Sequence, residues 1–341
     1  WMLISSALVF QMVPAMCLFY SGATSRLSSL KLFRLPLITA AVVGFQWYLF
    51  GYTLAFTPAV TPNPLPGPSW YGGDPRGAAL HDTVARPVGS AGPRIPEIVF
   101  ELYESMFASF TAALVCGGAI RDDPQNKFPA SDIPAGRFLI FISLWSLLVY
   151  NPVARWTWHW AGWSNQLGVM DFAGGTAVHI TSGTTVLAFY IFHAIQTGPA
   201  AADRAPHNVN NIVLGTALLW MGWFGFNGGS ALGGNLRAAS ACVATHVAAC
   251  AGGTSMLLLD ARNPSVTHFC DGVVIALVAV TPGAGFVPVW SAGVFGVVSA
   301  VAVFFFKWFT AKWLYDEPLY VFAIHAGGGM VGMILTGAFA E

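Results

Sequence analysis

The chain has 341 residues, 55% hydrophobic and 9% charged, with 15 basic and 15 acidic side chains. Soluble domains carry about 25% charge, so too few polar groups exist to cover this surface in water, and a lipid bilayer is the expected solvent. The balanced charge argues against a basic nucleic-acid face. The five cysteines (Cys17, Cys116, Cys242, Cys250, Cys270) lie in apolar stretches without a CxxC pair, as small filler rather than a disulfide or metal framework.

Apolar runs of about 20 residues suit a hydrocarbon core of about 30 Å. In chain order they predict ten spans, at 1–20, 35–57, 97–119, 137–155, 172–195, 209–227, 237–259, 268–286, 289–312 and 317–340, an all-α polytopic membrane protein. No basic residue precedes the first run, whereas Arg26, Lys31 and Arg34 follow it, so it reads as a first span with an extracellular N-terminus rather than a secretory leader. That orientation puts Arg26, Lys31, Arg34, Arg121, Lys127, Arg137, Arg204, Arg262, Lys307 and Lys312 inside. Arg76, Arg86, Arg94, Arg155 and Arg237 fall outside, and this asymmetry follows the positive-inside rule. The proline-rich stretch 58–96 is an outer loop; 121–136 and 197–208 are polar inner loops.

Five spans per half is an odd number, so the second half would enter the membrane from the opposite side. The expected arrangement is a single membrane domain over 1–341, with a first repeat at about 1–195 and an inverted second repeat at about 209–340. Such repeats place a substrate path between the halves, near the midplane. Phe19-Tyr20-Ser21-Gly22 ends the first span and Phe226-Asn227-Gly228-Gly229 the sixth.

Span five opens D-F-A-G-G-T-A-V-H-I-T-S-G over 171–183, and span ten carries V-F-A-I-H-A-G-G-G over 321–329. His179 and His325 are 146 residues apart, and each follows an acid, Asp171 or Glu317, by eight positions. Equivalent placement in two halves favours a facing, neutral pair that lines a polar path. Two unrelated histidines bonded to carbonyls, or axial ligands of one haem, are the alternatives. Asp171, at a helix start, suits either an N-terminal cap or a cation contact, and Asp316 or Glu317 could cap span ten. Aromatic faces hold small cations. Trp158, Phe107 and Phe226, with Ser230 one turn beyond, stand toward the outer ends of their spans, where an aromatic cation site or simple core packing would fit.

The segments M-D-F-A-G-G-T-A-V-H (170–179), W-F-G-F-N-G-G-S-A (223–231), T-P-G-A-G-F-V-P (281–288) and F-A-I-H-A-G-G-G-M-V-G (322–332) resemble the Amt/Mep/Rh ammonium transporter family over nearly the whole chain. Y-E-S-M-F-A (103–108) and the opening W-M-L-I-S-S-A-L-V also fit, and the wording is most similar to the fungal Mep branch.

The resemblance implies an eleven-helix fold, of which about ten are here and the eleventh and a cytosolic tail are not. It also implies a plasma-membrane homotrimer with a pore in each subunit, no cofactor, and ammonium or ammonia as substrate. By the same resemblance, Phe107, Trp158 and Ser230 form an outer recruitment site, Phe107 and Phe226 the gate below it, and His179 and His325 the twin-His pair. Asp171 supports the site structurally. The cation would lose its proton near the gate and ammonia would pass along the histidines. An ammonium sensor on the same scaffold is the alternative, with an Rh-type gas channel and a haem redox protein as further readings; no cytosolic regulator is named.

Several positions depart from the family pattern: the 121–136 stretch with Arg121-Asp122-Asp123, Glu104 for Gln, Arg155 for a small residue or His, Asp271 for Ser, Tyr320 for Asp and Ala326 for Gly. Asp271 reads as a buried acid without an obvious partner.

Overall fold

A computed structural model describes residues 1–57, 72–73, 75–80, 87–88, 94–120, 133–197, 206–313 and 317–341. Most of the predicted 58–96 loop, the Arg121-Asp122-Asp123 departure with the rest of 121–132, residues 198–205 and Asp316 lie outside the described residues.

Ten helical runs account for the ten predicted spans. They are α1 (Met2–Ala23), α2 (Arg26–Phe56), α3 (Glu97–Ala119), and α4, continuous through Ala135–Trp145, Ser146–Tyr150 and Asn151–Trp158. Next come α5 (Gly175–Ile180 into Thr181–Thr197), α6 (Val209–Gly229), α7 (Leu236–Leu259), α8 (Val266–Val280) and α9 (Ser291–Trp313). The last is α10 (Phe322–Gly327 into Gly328–Phe339). In hydrocarbon every backbone N–H and C=O needs an internal partner, which a helix supplies. Among the described residues the only strand pairing is the two-residue match of Pro87–Val88 with Ile95–Pro96, outside the bundle.

Boundaries differ from expectation where side chains reach out of the apolar zone. The second span begins at Arg26 instead of 35, because Lys31 runs back to donate to the Ala119 carbonyl at 2.7 Å, closing the end of α3. Asn208, Asn235 and Ser265 cap α6, α7 and α8 by accepting from backbone N–H groups. In the short α8, Gly272 to Val280 is buried throughout, so protein covers that stretch rather than lipid.

Two helix pairs carry the architecture. Along α1 and α6, a Cβ at Gly215, Gly222 or Gly225 would stand 2.6 Å from Phe19 N, 2.3 Å from Met12 Cγ or 2.5 Å from Leu8 Cβ. Gly22 meets Asn208 at the other end, so the two run antiparallel at backbone contact. The pair α5 and α10 also runs antiparallel. Gly183 abuts Ala326, and Gly329 abuts Ile180 and the Gly175 carbonyl. Each of these last two helices carries its histidine in a π-helical turn, Gly175–Ile180 and Phe322–Gly327; such wide turns concentrate at functional sites. Two more lie in α2 (Trp47–Gly51) and α4 (Ser146–Tyr150).

Candidate functional site

The start of α5 is built by its own sequence. The Asp171 carboxylate accepts from the backbone N–H of Gly174 and Gly175 through Oδ1 at 2.8 and 2.7 Å, and from Thr176 through Oδ2 at 2.7 Å. These are the orphan donors of a helix start. The chain can turn back over the carboxylate because Gly174 adopts φ +117°, a conformation other residues enter only with strain. At the start of α10, Glu317 accepts from Val321 N–H through Oε1 and from Phe322 N–H through Oε2 at 3.0 Å.

Eight residues beyond each acid stand the histidines, both buried. Their Nδ1 atoms are 3.2 Å apart, with rings 5.3 Å apart and 21° from parallel. A bond between two Nδ1 atoms requires one to carry the proton and the other to accept, so the rings hold opposite tautomers. The facing nitrogens bind each other, which leaves no space between them for an iron porphyrin. His179 Nε2 is buried with no hydrogen-bond partner among the described residues, a polar contact open to a small molecule.

Above the histidines the aromatic residues form a continuous track. Phe226 lies 6.0 Å from His179 at 29°, Phe107 stacks on Phe226 at 4.2 Å and 25°, and Trp158 meets Phe107 edge-on at 6.1 Å. Phe107, Trp158 and Ser230 border a cavity of about 590 Å³ that opens at this end of the bundle. The Trp158 Nε1–H donates to the Asp171 carbonyl at 2.9 Å, which fixes the indole in the cavity wall. Ser230 Oγ donates to the Phe226 carbonyl at 3.0 Å and keeps lone pairs as acceptors.

Two residues of this site are absent from the sequence reading. Trp223 stacks on His179 at 5.6 Å and 17°, held by Nε1–H donating to Thr281 Oγ1 at 2.9 Å. Tyr103 Oη reaches the Gly225 and Phe226 carbonyls at 2.9 and 2.7 Å, tying the end of α6 to α3. Both sit in the family-like segments 223–231 and 103–108, but neither spacing nor charge separates them from core aromatics.

The Ammonium Transporter Family is matched over residues 1–341. The chain belongs to this ammonium transporter family. It is 42% identical to Ammonium transporter 1 of Schizosaccharomyces pombe, over 100% of this chain and 65% of that protein. It is 35% identical to Ammonium transporter MEP2 of Saccharomyces cerevisiae, over 100% and 66%; the chain thus spans just under two thirds of the length of these relatives. Crystal structures of Mep2 superpose with TM-scores of 0.84 for S. cerevisiae and 0.86 for Candida albicans. Both are at 34% identity, covering 100% of this chain and 75% and 72% of those chains.

Within this ammonium transporter fold, four of the departures in the described residues, Asp271, Tyr320, Arg155 and Ala326, find structural partners. Asp271 is not a lone acid: Lys307 donates to its Oδ2 at 2.6 Å, and the same ammonium sits 4.2 Å over the Tyr320 ring. The expectation of a partnerless Asp271 failed because Lys307 lies on another helix, 36 positions away. Arg155 is fully buried and donates to the Ala55 and Thr57 carbonyls at 3.1 and 2.8 Å. It neutralises the negative end of α2. Ala326 packs on Gly183, whose missing side chain makes room for the extra methyl.

Proposed function

We propose that the chain moves ammonium or ammonia across the plasma membrane, with the Trp158 end and the N-terminus outside. The observation that carries this reading is the unbroken contact track Trp158–Phe107–Phe226–His179–His325. A cation at the cavity meets the faces of Trp158 and Phe107 and the Ser230 oxygen, worth about 0.5–2 kcal/mol for each aromatic face. Beyond the stacked Phe107–Phe226 gate the surroundings are apolar, and removing an ion from water there costs far more than removing the neutral molecule. The cation therefore gives up its proton above the gate, and ammonia passes along the twin histidines, whose fixed tautomers offer one donor or acceptor at a time. Asp171 supports the site by holding the start of α5. The two antiparallel pairs fit an inverted repeat, about 1–195 and 209–340, and we propose a homotrimer as the working assembly.

Growth on low ammonium in cells lacking their own ammonium transporters tests the reading. The parent is expected to restore growth, and His179→Ala and Trp158→Leu to alter it. Membrane-localised parent protein that restores nothing would overturn transport. A single subunit mass in native mass spectrometry would overturn the trimer.

A further inference from the structure

Helix α3 carries Glu97, Glu101 and Glu104 at positions separated by four and three, on one helical face, and all three are buried, at 2%, 7% and 8% exposure. Glu97 Oε1 accepts from the Tyr52 hydroxyl at 2.8 Å. Of the three, Glu104 lies nearest in the chain to Phe107. It lines the cavity with Phe107, Trp158 and Ser230, one turn before the gate residue Phe107. Its Oε2 is buried, and no described protein group donates to it.

Ionising a carboxylate is costly when one of its oxygens is held from water without a donor. Among the described residues, no permanent positive charge bonds to Glu104. Tyr52 from α2 and Tyr150 from α4 are neutral at ordinary pH, as is Tyr103 on Glu104's own helix. Glu101 on that helix is a second acid. Across the cavity Asp171 has its oxygens committed to backbone N–H groups, His159 Nδ1 accepts from Ala161 N–H, and Arg237 is solvent-exposed. The two inexpensive states of Glu104 are then a neutral acid and a carboxylate paired with a mobile cation. The aromatic rings beside it select a cation of the ammonium class.

We propose that Glu104 is a cation-binding and proton-accepting group of the outer cavity, exchanging its own proton for an ammonium ion. The proposal rests on the transport reading above and assigns the acceptor in its deprotonation step. On entry, the Glu104 O–H bond breaks, the proton leaves to outer water and ammonium takes its place on the carboxylate. In the next step an ammonium N–H bond breaks with its electron pair staying on nitrogen, the O–H bond of Glu104 re-forms, and ammonia departs past Phe107 and Phe226. The cycle leaves Glu104 as it began.

Two readouts on the protein reconstituted in liposomes test this. In infrared difference spectra, adding ammonium chloride is expected to bleach a protonated-carboxyl C=O band in the parent and in Glu101→Gln. The bleach should be absent in Glu104→Gln and restored in Glu104→Asp. In uptake assays Glu104→Gln is expected to raise the KM for ammonium about tenfold, the weight of one charge-assisted contact, and to flatten the dependence of uptake on external pH. A parent without the bleach, a bleach that survives in Glu104→Gln, or unchanged KM and pH dependence in that variant overturns the proposal. A parent that bleaches but carries no flux overturns transport while leaving Glu104 as a cation site.

Discussion

Asp171 and Glu317 hold the same place in two antiparallel helices. Each takes the backbone N–H groups four and five residues ahead, and each precedes its histidine by eight. The contact Gly183–Ala326 is matched by Gly329–Ile180 at the same 146-residue offset. The histidines thus meet because two like helix starts are fixed in the same way at opposite ends of the pair.

Removing one of these acids should loosen its helix start. Asp171→Ala strips three buried charge-assisted bonds and is expected to cost about 2–4 kcal/mol, against less for Glu317→Ala. Thermal melting in detergent followed by tryptophan fluorescence checks this. Equal, small shifts for both would contradict the capping account.

The histidines should behave as one unit. A double-mutant cycle over His179→Ala and His325→Ala is expected to show a coupling of about 1 kcal/mol in stability, since either substitution alone already breaks the Nδ1 bond. Strictly additive losses would mean that the 3.2 Å contact contributes nothing.

The proposed gate, the stacked Phe107–Phe226 pair, can be probed without ammonium. Replacing Phe226 by Leu removes the 4.2 Å ring stack on Phe107. Water permeability of proteoliposomes, read by stopped-flow light scattering, is expected to rise several-fold. No change would place the seal elsewhere on the track.

Close helix approach gives a contrast within α10. A Cβ at Gly332 would lie 2.2 Å from the Ala279 carbonyl oxygen, whereas Gly337 has nothing within 4 Å. Gly332→Ala is expected to destabilise by about 3 kcal/mol, because backbone must shift. Gly337→Ala should stabilise by about 0.5–1 kcal/mol through helix propensity. Parallel melts of the two variants decide it, and similar melting temperatures would remove the packing argument.

The Lys307–Asp271 pair should be costly to break from one side only. Lys307→Met leaves a partly buried carboxylate behind and is expected to cost about 1–3 kcal/mol. Adding Asp271→Ser should recover most of that loss in the same melting assay. A double variant no more stable than Lys307→Met would show that the pair is not the source of the cost.

The number of helices, their helical nature, the twin histidines and the two acids were legible in the amino-acid order, since each depends on run length or on residues close in sequence. Asp171 and Glu317 reach only five residues ahead, so their capping could be read from spacing alone. Trp223, Tyr103 and Lys307 were not legible as parts of a site. Their roles consist of contacts with Thr281, the end of α6 and Asp271, each on another helix. The four π-helical turns were also invisible, because an apolar run has the same composition whether it winds by four residues or five.

By itself, then, the sequence determined a membrane-embedded helical bundle and marked which side chains are too polar to stand there without purpose, since the bilayer taxes every unpaired polar group by position and type. Only the tertiary structure decided that His179 and His325 bond through Nδ1, that Trp158 is tied to Asp171 in the cavity wall, and that Glu104 reaches the cavity with no donor to its Oε2 among the described residues. Those outcomes depend on how glycine-lined helices close to backbone contact, and side-chain direction at that separation is set by packing between segments far apart in the chain.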